Sequence, residues 1–217
     1  MWWLAAIVVY FLPPSGWECA NPALLSPYVQ VGFIGPSERD FRPTVNLAVE
    51  EVDVGLKEYV KAAKAIHAEM PETSWRDIGK IDSPLGKGHL AEISTKTPFG
   101  DIRMLQALYV FGGHAYILTA SAHKEDFSSL QKEFLSTLCS IRSADELLAP
   151  LDSSMRERVR LLMDPQAAPP ADQWKALQSC VLDECKAHGS HWQFLALKEG
   201  YAKLYGNSST PSNPETP

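Results

Sequence analysis

Three strand-like runs follow one another between His89 and Ala122 (HLAEISTKTPFGDIRMLQALYVFGGHAYILTASA), and the rest of the chain has to supply their covers. In the middle run, Ile102 to Phe111, residues 102, 104, 108 and 110 fall on one face and residues 105, 107, 109 and 111 on the other. Both faces are largely apolar, which is the pattern of a strand buried on two sides. Gly112-Gly113 separates this run from Ala115 to Ala122, and two glycines supply the positive φ angles that a two-residue hairpin needs. Before the middle run, Thr97-Pro98-Phe99-Gly100-Asp101 reads as a turn. A three-stranded antiparallel meander is expected at the centre of a sheet.

The preceding residues extend that sheet and cover it. Tyr28 to Ile34 and Thr44 to Val52 are β-branched, alternating runs separated by GPSERDFRP, which predicts an early strand pair. From Asp53 the period becomes helical. Leu56, Tyr59, Val60, Ala63, Ile66 and Met70 share a stripe, with Asp53 placed to cap and Pro71 to close the segment. Trp75 to Asp82 is a weaker strand candidate, and SPLGKG (83–88) a turn. After the meander, Phe127, Leu130, Phe134, Leu138 and Ile141 form a second helical stripe, with Glu125 and Asp126 in the first turn, where the helix dipole favours acids. The order predicts an α+β fold, an antiparallel sheet flanked by helices, over residues 28–142.

Beyond Arg142 the strand signal ends and a helical extension, 143–206, is expected. Ser143 with Glu146 and Ser154 with Glu157 have capping-box spacing, and PQAAPP (165–170) is a linker. Trp174, Leu177, Val181 and Cys185 form one stripe ending at Gly189; Phe194, Leu197, Tyr201 and Leu204 form the next, up to Gly206. These make a C-terminal helical hairpin. Trp174, Trp192, Phe194, Tyr201 and Tyr205 place five large aromatics in about thirty residues, and they are the candidate partner-binding residues, set against ordinary packing within the hairpin. The final NSSTPSNPETP (207–217) is polar and proline-rich and is expected to be disordered.

At the other end, Trp2 to Leu12 is an apolar run closed by Pro13-Pro14. It has the length of a signal-peptide core and falls short of the roughly 20 residues that span a bilayer. Residues 1–20 are therefore expected to be a signal peptide, although Glu18 stands where cleavage after Ala20 wants a small residue. A retained anchor giving peripheral membrane association, and a start that is not a signal at all, are the alternatives. Export to the periplasm or cell envelope follows from the first, and a cytoplasmic protein from the last.

A net charge of -6 with no Lys/Arg run lacks the basic stripe that phosphate neutralisation requires, so no nucleic-acid partner is expected. No nucleophile-elbow, zinc-protease or phosphate-loop pattern is present, and Gly86-Lys87-Gly88 lacks phosphate-loop spacing. His67, His89, His114 and His123 sit near element ends without an evident catalytic partner. Glu50 and Glu51, adjacent on a strand, point to opposite faces. Cys180, Cys185, His188 and His191 are the one metal-like cluster. On a regular helix residues five apart point about 140° from each other, so core roles are expected, with no metal and no cofactor. A pairing of Cys139 with Cys180 or Cys185 stays open.

Residues 28–142, with Val45-Asn46-Leu47 in the early pair, Leu56 and Tyr59 on the first helix, and GHAYILTASA followed by Phe127, Phe134 and Ile141, resemble the PsbP-like superfamily. That superfamily includes the DcrB-type envelope proteins and the Ran-binding Mog proteins. The resemblance implies a PsbP-like α/β/α sandwich and a non-enzymatic accessory or binding protein with an unidentified protein partner. A cytosolic partner-binding factor or secretion chaperone is the alternative, and a small metal-dependent enzyme a third reading that lacks a site.

Overall fold

A computed structural model describes residues 8–144 and 146–206. The start of the apolar N-terminal run and the tail expected to be disordered lie outside the described residues. The described residues divide into two compact units, Val9–Ser143 and one that comprises Val8, Ala144 and residues 146–206.

The first unit is built on a seven-stranded sheet in the order β2-β3-β4-β8-β7-β6-β5, antiparallel at every pairing. Its strands are β2 (Glu18–Cys19), β3 (Val29–Ile34), β4 (Thr44–Glu51), β5 (Thr73–Ser83), β6 (Gly86–Thr97), β7 (Gly100–Phe111) and β8 (His114–His123). The expected meander is β6-β7-β8. Gly112 and Gly113 both have positive φ, 59° and 77°, the conformation that makes the tight β7–β8 hairpin fit the strand twist. The early pair β3-β4 joins the meander through β4 and β8, with Val45 opposite Ala120 and Leu47 opposite Leu118. The weak candidate around Trp75 is a full 11-residue edge strand, bulged between Asp77 and Gly79. A separate two-stranded ribbon pairs β1 (Val8–Tyr10) with β9 (Arg142–Ala144), and the Arg142 guanidinium lies 5.7 Å from the Tyr10 ring centroid.

The two faces of the sheet are covered unequally. Helix α2 (Lys124–Leu138) buries Phe127, Phe134 and Leu138 on the face presented by Leu105, Ala107 and Tyr109, and the Tyr109 hydroxyl donates to the Leu138 carbonyl at 3.2 Å. Helix α1 (Leu56–Glu69) covers the opposite face and has no fully buried residue; Ile66 is 57% and Met70, just past its end, 48% exposed. The stripe read from the sequence is there, but α1 lies over the β5 side of the sheet and buries its stripe only partly. Asp53 does not cap it: the cap position is Gly55, with no side-chain bond.

The residues just after the apolar start are part of this unit. Phe11 is 0% exposed and meets Phe33 edge-on, with centroids 5.7 Å apart. Trp17 meets Phe134 of α2 at 6.2 Å, and its ring lies so close to Gly35 that a Cβ there would stand 2.7 Å from it. β2 pairs with β3, and the Leu12 amide donates to Ser140 Oγ at 2.8 Å. Removing residues 1–20 as a signal peptide would thus take three core aromatics, Tyr10, Phe11 and Trp17, and an edge strand with it.

Candidate functional site

The second unit contains three α-helices among its described residues: α3 (Ser153–Leu162), α4 (Pro170–Ser179) and α5 (Gly189–Tyr205). Neither capping box forms. Ser143 is in β9, and the cap of α3 is Asp152, whose side chain accepts from the Met155 amide. Pro170 opens α4, where a missing N–H costs nothing. The expected continuous helix from Trp174 to Cys185 is interrupted: α4 ends at Ser179, a π turn spans Cys180–Glu184, and a short 3-10 turn leads to Gly189.

Helix α5 buries Trp192, Ala196, Gly200 and Leu204 at four-residue spacing, and Gly200 lies against Leu177 of α4 with no room for a Cβ. Trp192 is fully buried and its Nε1 donates to the Leu147 carbonyl at 2.8 Å. Beside it, His191 is 2% exposed, and burial pushes its imidazole down from 6.5 to about 3. The folded unit holds a neutral ring that the unfolded chain protonates below 6.5. Stability is complete above that value and falls as acid is added, until His191 itself protonates near 3. Urea unfolding is expected to show about 2 kcal/mol less stability at pH 5 than at pH 7. His191→Gln should remove most of that pH dependence.

Three of the five aromatics singled out in the sequence come together. Trp174 of α4 meets Tyr201 of α5 edge-on with centroids 5.4 Å apart, and Tyr201 meets Tyr205 at 4.8 Å with planes tilted by 36°. Trp174 and Tyr201 are half-buried, and Tyr205 is 38% exposed. Phe194 is half-buried on the same α5 stripe, two turns before Tyr201. Trp192 does not join them, because the four-residue spacing puts it on the opposed, core-facing stripe. The ladder is thus an apolar edge with phenol groups at its rim, held on two packed helices.

A second cluster was not evident in the sequence. The Trp75 ring lies between His67 of α1, 5.2 Å away, and His89 of β6, stacked at 6.4 Å with planes 9° apart. Asp77 accepts from Lys64 of α1, from Trp75 Nε1 at 2.9 Å and from His89 Nε2 at 3.1 Å. The Lys64 ammonium foremost, then Trp75, hold the Asp77 carboxyl down at about 2. The alternation of Trp75 and Asp77 was legible, but their union with His89 depends on the β5–β6 register. With three donors on one carboxylate, the cluster fastens α1 to the sheet edge, and His89 Nε2 is already engaged.

All four cysteines are free, so Cys139, which is exposed, pairs with neither Cys180 nor Cys185. Among the described residues, no group of three His, Cys, Asp or Glu side chains could hold a metal ion, and no helix is long and apolar enough to cross a membrane.

No protein-family model and no curated protein matches the sequence. Solved structures do. The chain is similar to LpqN of Mycobacterium tuberculosis, described as involved in cell envelope biogenesis, with 13% identity and a TM-score of 0.50 over 64% of this chain and 85% of that one. It is also similar to the PsbP of the cyanobacterium Synechocystis sp. PCC 6803, with 16% identity and a TM-score of 0.46 over 64% of this chain and 94% of that one. A third similar structure is the Ran-binding protein Mog1p of Saccharomyces cerevisiae, with 14% identity and a TM-score of 0.40 over 60% of this chain and 81% of that one. At these identities the likeness is one of fold alone, an α+β sandwich with an antiparallel sheet, shared with LpqN.

Proposed function

We propose that this chain is a non-enzymatic accessory protein that binds a protein partner through the aromatic edge formed by Trp174, Phe194, Tyr201 and Tyr205. The observation that carries the reading is the Trp174–Tyr201–Tyr205 ladder, three rings in contact that remain partly exposed on helices whose own core is filled by other residues. Tyr and Trp give large contact areas at low cost in side-chain entropy and dominate the energetics of protein interfaces. The similar structures add context: one is of a Ran-binding protein and one of a protein of cell envelope biogenesis, so this fold serves partner binding and envelope roles elsewhere.

The compartment turns on the fate of residues 1–20. Export to the periplasm or envelope goes with a leader that is removed. The packing of Phe11 and Trp17 favours the other fate, a partner-binding factor that keeps this segment. Intact mass and fractionation of the expressed protein separate the two.

The partner reading is tested by placing a photo-crosslinking residue at position 205 in the native host. A discrete protein adduct is expected, and Trp174→Ala with Tyr201→Ala should weaken that complex by about 30-fold or more, the loss typical of hot-spot aromatics. An unchanged complex in a double variant that keeps its circular dichroism would remove these residues from the interface.

A further inference from the structure

Three sulfur atoms gather in the helical unit. Met155, in the first turn of α3, places its Sδ 3.6 Å from Cys180 Sγ. Cys180 opens the π turn and Cys185 follows its end, and a turn whose hydrogen bonds run from i to i+5 brings residue 185 back over residue 180. The turn thereby carries Cys185 round to the side of the helix on which Cys180 lies, instead of pointing the two apart as on a regular helix. Cys180 is 1% and Cys185 2% exposed, while Met155 is half-buried at the margin of the cluster. A π turn inserted into a helix weakens its hydrogen-bond ladder and recurs at functional sites.

Two thiolates and a thioether form a soft donor set, the type that selects monovalent copper; zinc sites are built from thiolate, imidazole and carboxylate. With metal–sulfur bonds of roughly 2.3 Å, a trigonal set spaces its sulfurs about 4 Å apart, close to the Met155–Cys180 separation. One such ion with two thiolates carries a net negative charge. Near it, Arg158, one turn after Met155 on α3, forms an ion pair with Glu184 of the π turn at 2.6 Å. We propose that Met155, Cys180 and Cys185 form a Cu(I) site. The ion replaces the two thiol protons, no sulfur changes oxidation state, and two protons are released per ion bound. The site is separate from the aromatic ladder and does not rest on the partner reading.

The test is an anaerobic titration of the full chain with Cu(I) against the chromogenic chelator bathocuproine disulfonate. Cys19→Ser and Cys139→Ser are introduced first, because those two thiols are exposed. One equivalent of copper should leave the chelator, with two protons released. Cys180→Ser and Cys185→Ser should each weaken binding at least a hundredfold, and Met155→Leu about tenfold with unchanged circular dichroism. If a cysteine variant fails to fold, X-ray absorption of the copper-loaded Cys19→Ser/Cys139→Ser chain decides, with three sulfur neighbours expected. The proposal is overturned if the chelator keeps all the copper, if binding disappears with Cys19 and Cys139, if it survives removal of both Cys180 and Cys185, or if fewer than three sulfurs surround the ion.

Discussion

Trp192→Ala is expected to destabilise the helical unit by about 4 kcal/mol, the usual cost of truncating a fully buried tryptophan. Two losses combine. The indole leaves a cavity at the centre of the stripe formed with Ala196, Gly200 and Leu204, where α5 lies against Leu177 and cannot readily close in. The Leu147 carbonyl also loses its donor. Trp192→Phe separates the two, because it keeps most of the apolar volume and removes the hydrogen bond; a smaller loss of about 1–2 kcal/mol is expected. Urea midpoints of the full chain and both variants measure the difference. In the reading from the sequence, where Trp192 is a partner residue, the alanine variant would keep its midpoint and lose only binding. A midpoint within error of the parent protein would restore that reading.

The contrast shows what the sequence carried about this site. Period 3.6 placed aromatics on two helices, with Trp174 on one stripe and Phe194 and Tyr201 on the next; that Trp174, Tyr201 and Tyr205 meet depends on how the two helices pack. It could not say which stripe of α5 faces inward, since Trp192 and Phe194 are two residues apart and both apolar. The small residues of that helix held the signal. Ala196 and Gly200 at four-residue spacing from Trp192 mark the stripe where a neighbouring helix approaches closely, and such a face is normally buried. The π turn left no sequence signature, so the expected 140° between Cys180 and Cys185 rested on a regular helix that does not continue there.

In the sandwich, more was legible. The double-sided apolar pattern of β7 and the two glycines fixed the meander, and alternation in β3 and β4 fixed their pairing, because a one-residue slip would turn Val45 and Leu47 to the wrong face. Residues 75–82 were the harder case. An edge strand has one neighbour and a more exposed surface, so its alternation is diluted by groups such as Arg76, Asp77 and Lys80, and a bulge at Asp77–Gly79 shifts the phase midway. The unequal covers were not legible either, since the α1 stripe is as regular as that of α2; only the position of α1 toward β5 leaves Ile66 and Met70 in solvent.

A chain beginning at Asn21 is expected to lose the cooperative fold of the sandwich. The deleted segment contributes Phe11 at 0% and Trp17 at 9% exposure. Truncating a buried aromatic of this size costs about 3–5 kcal/mol, so losing both approaches the whole stability of a typical domain, about 5–15 kcal/mol. Loss of β2 adds to this by exposing the β3 edge at Phe33 and Ile34, and loss of the Leu12 amide leaves Ser140 Oγ without that donor. Phe11→Ala in the full-length chain isolates one part of the effect and should shift the urea midpoint by the amount expected of a core phenylalanine. Near-ultraviolet circular dichroism of residues 21–217 against the full chain is the direct comparison. Flattened aromatic bands with retained far-ultraviolet signal would show that the packing of Phe11 and Trp17 completes the core. Matching spectra and midpoints would show instead that residues 1–20 are dispensable to the fold, which is the behaviour of a removable leader and would return export to the front of the functional reading.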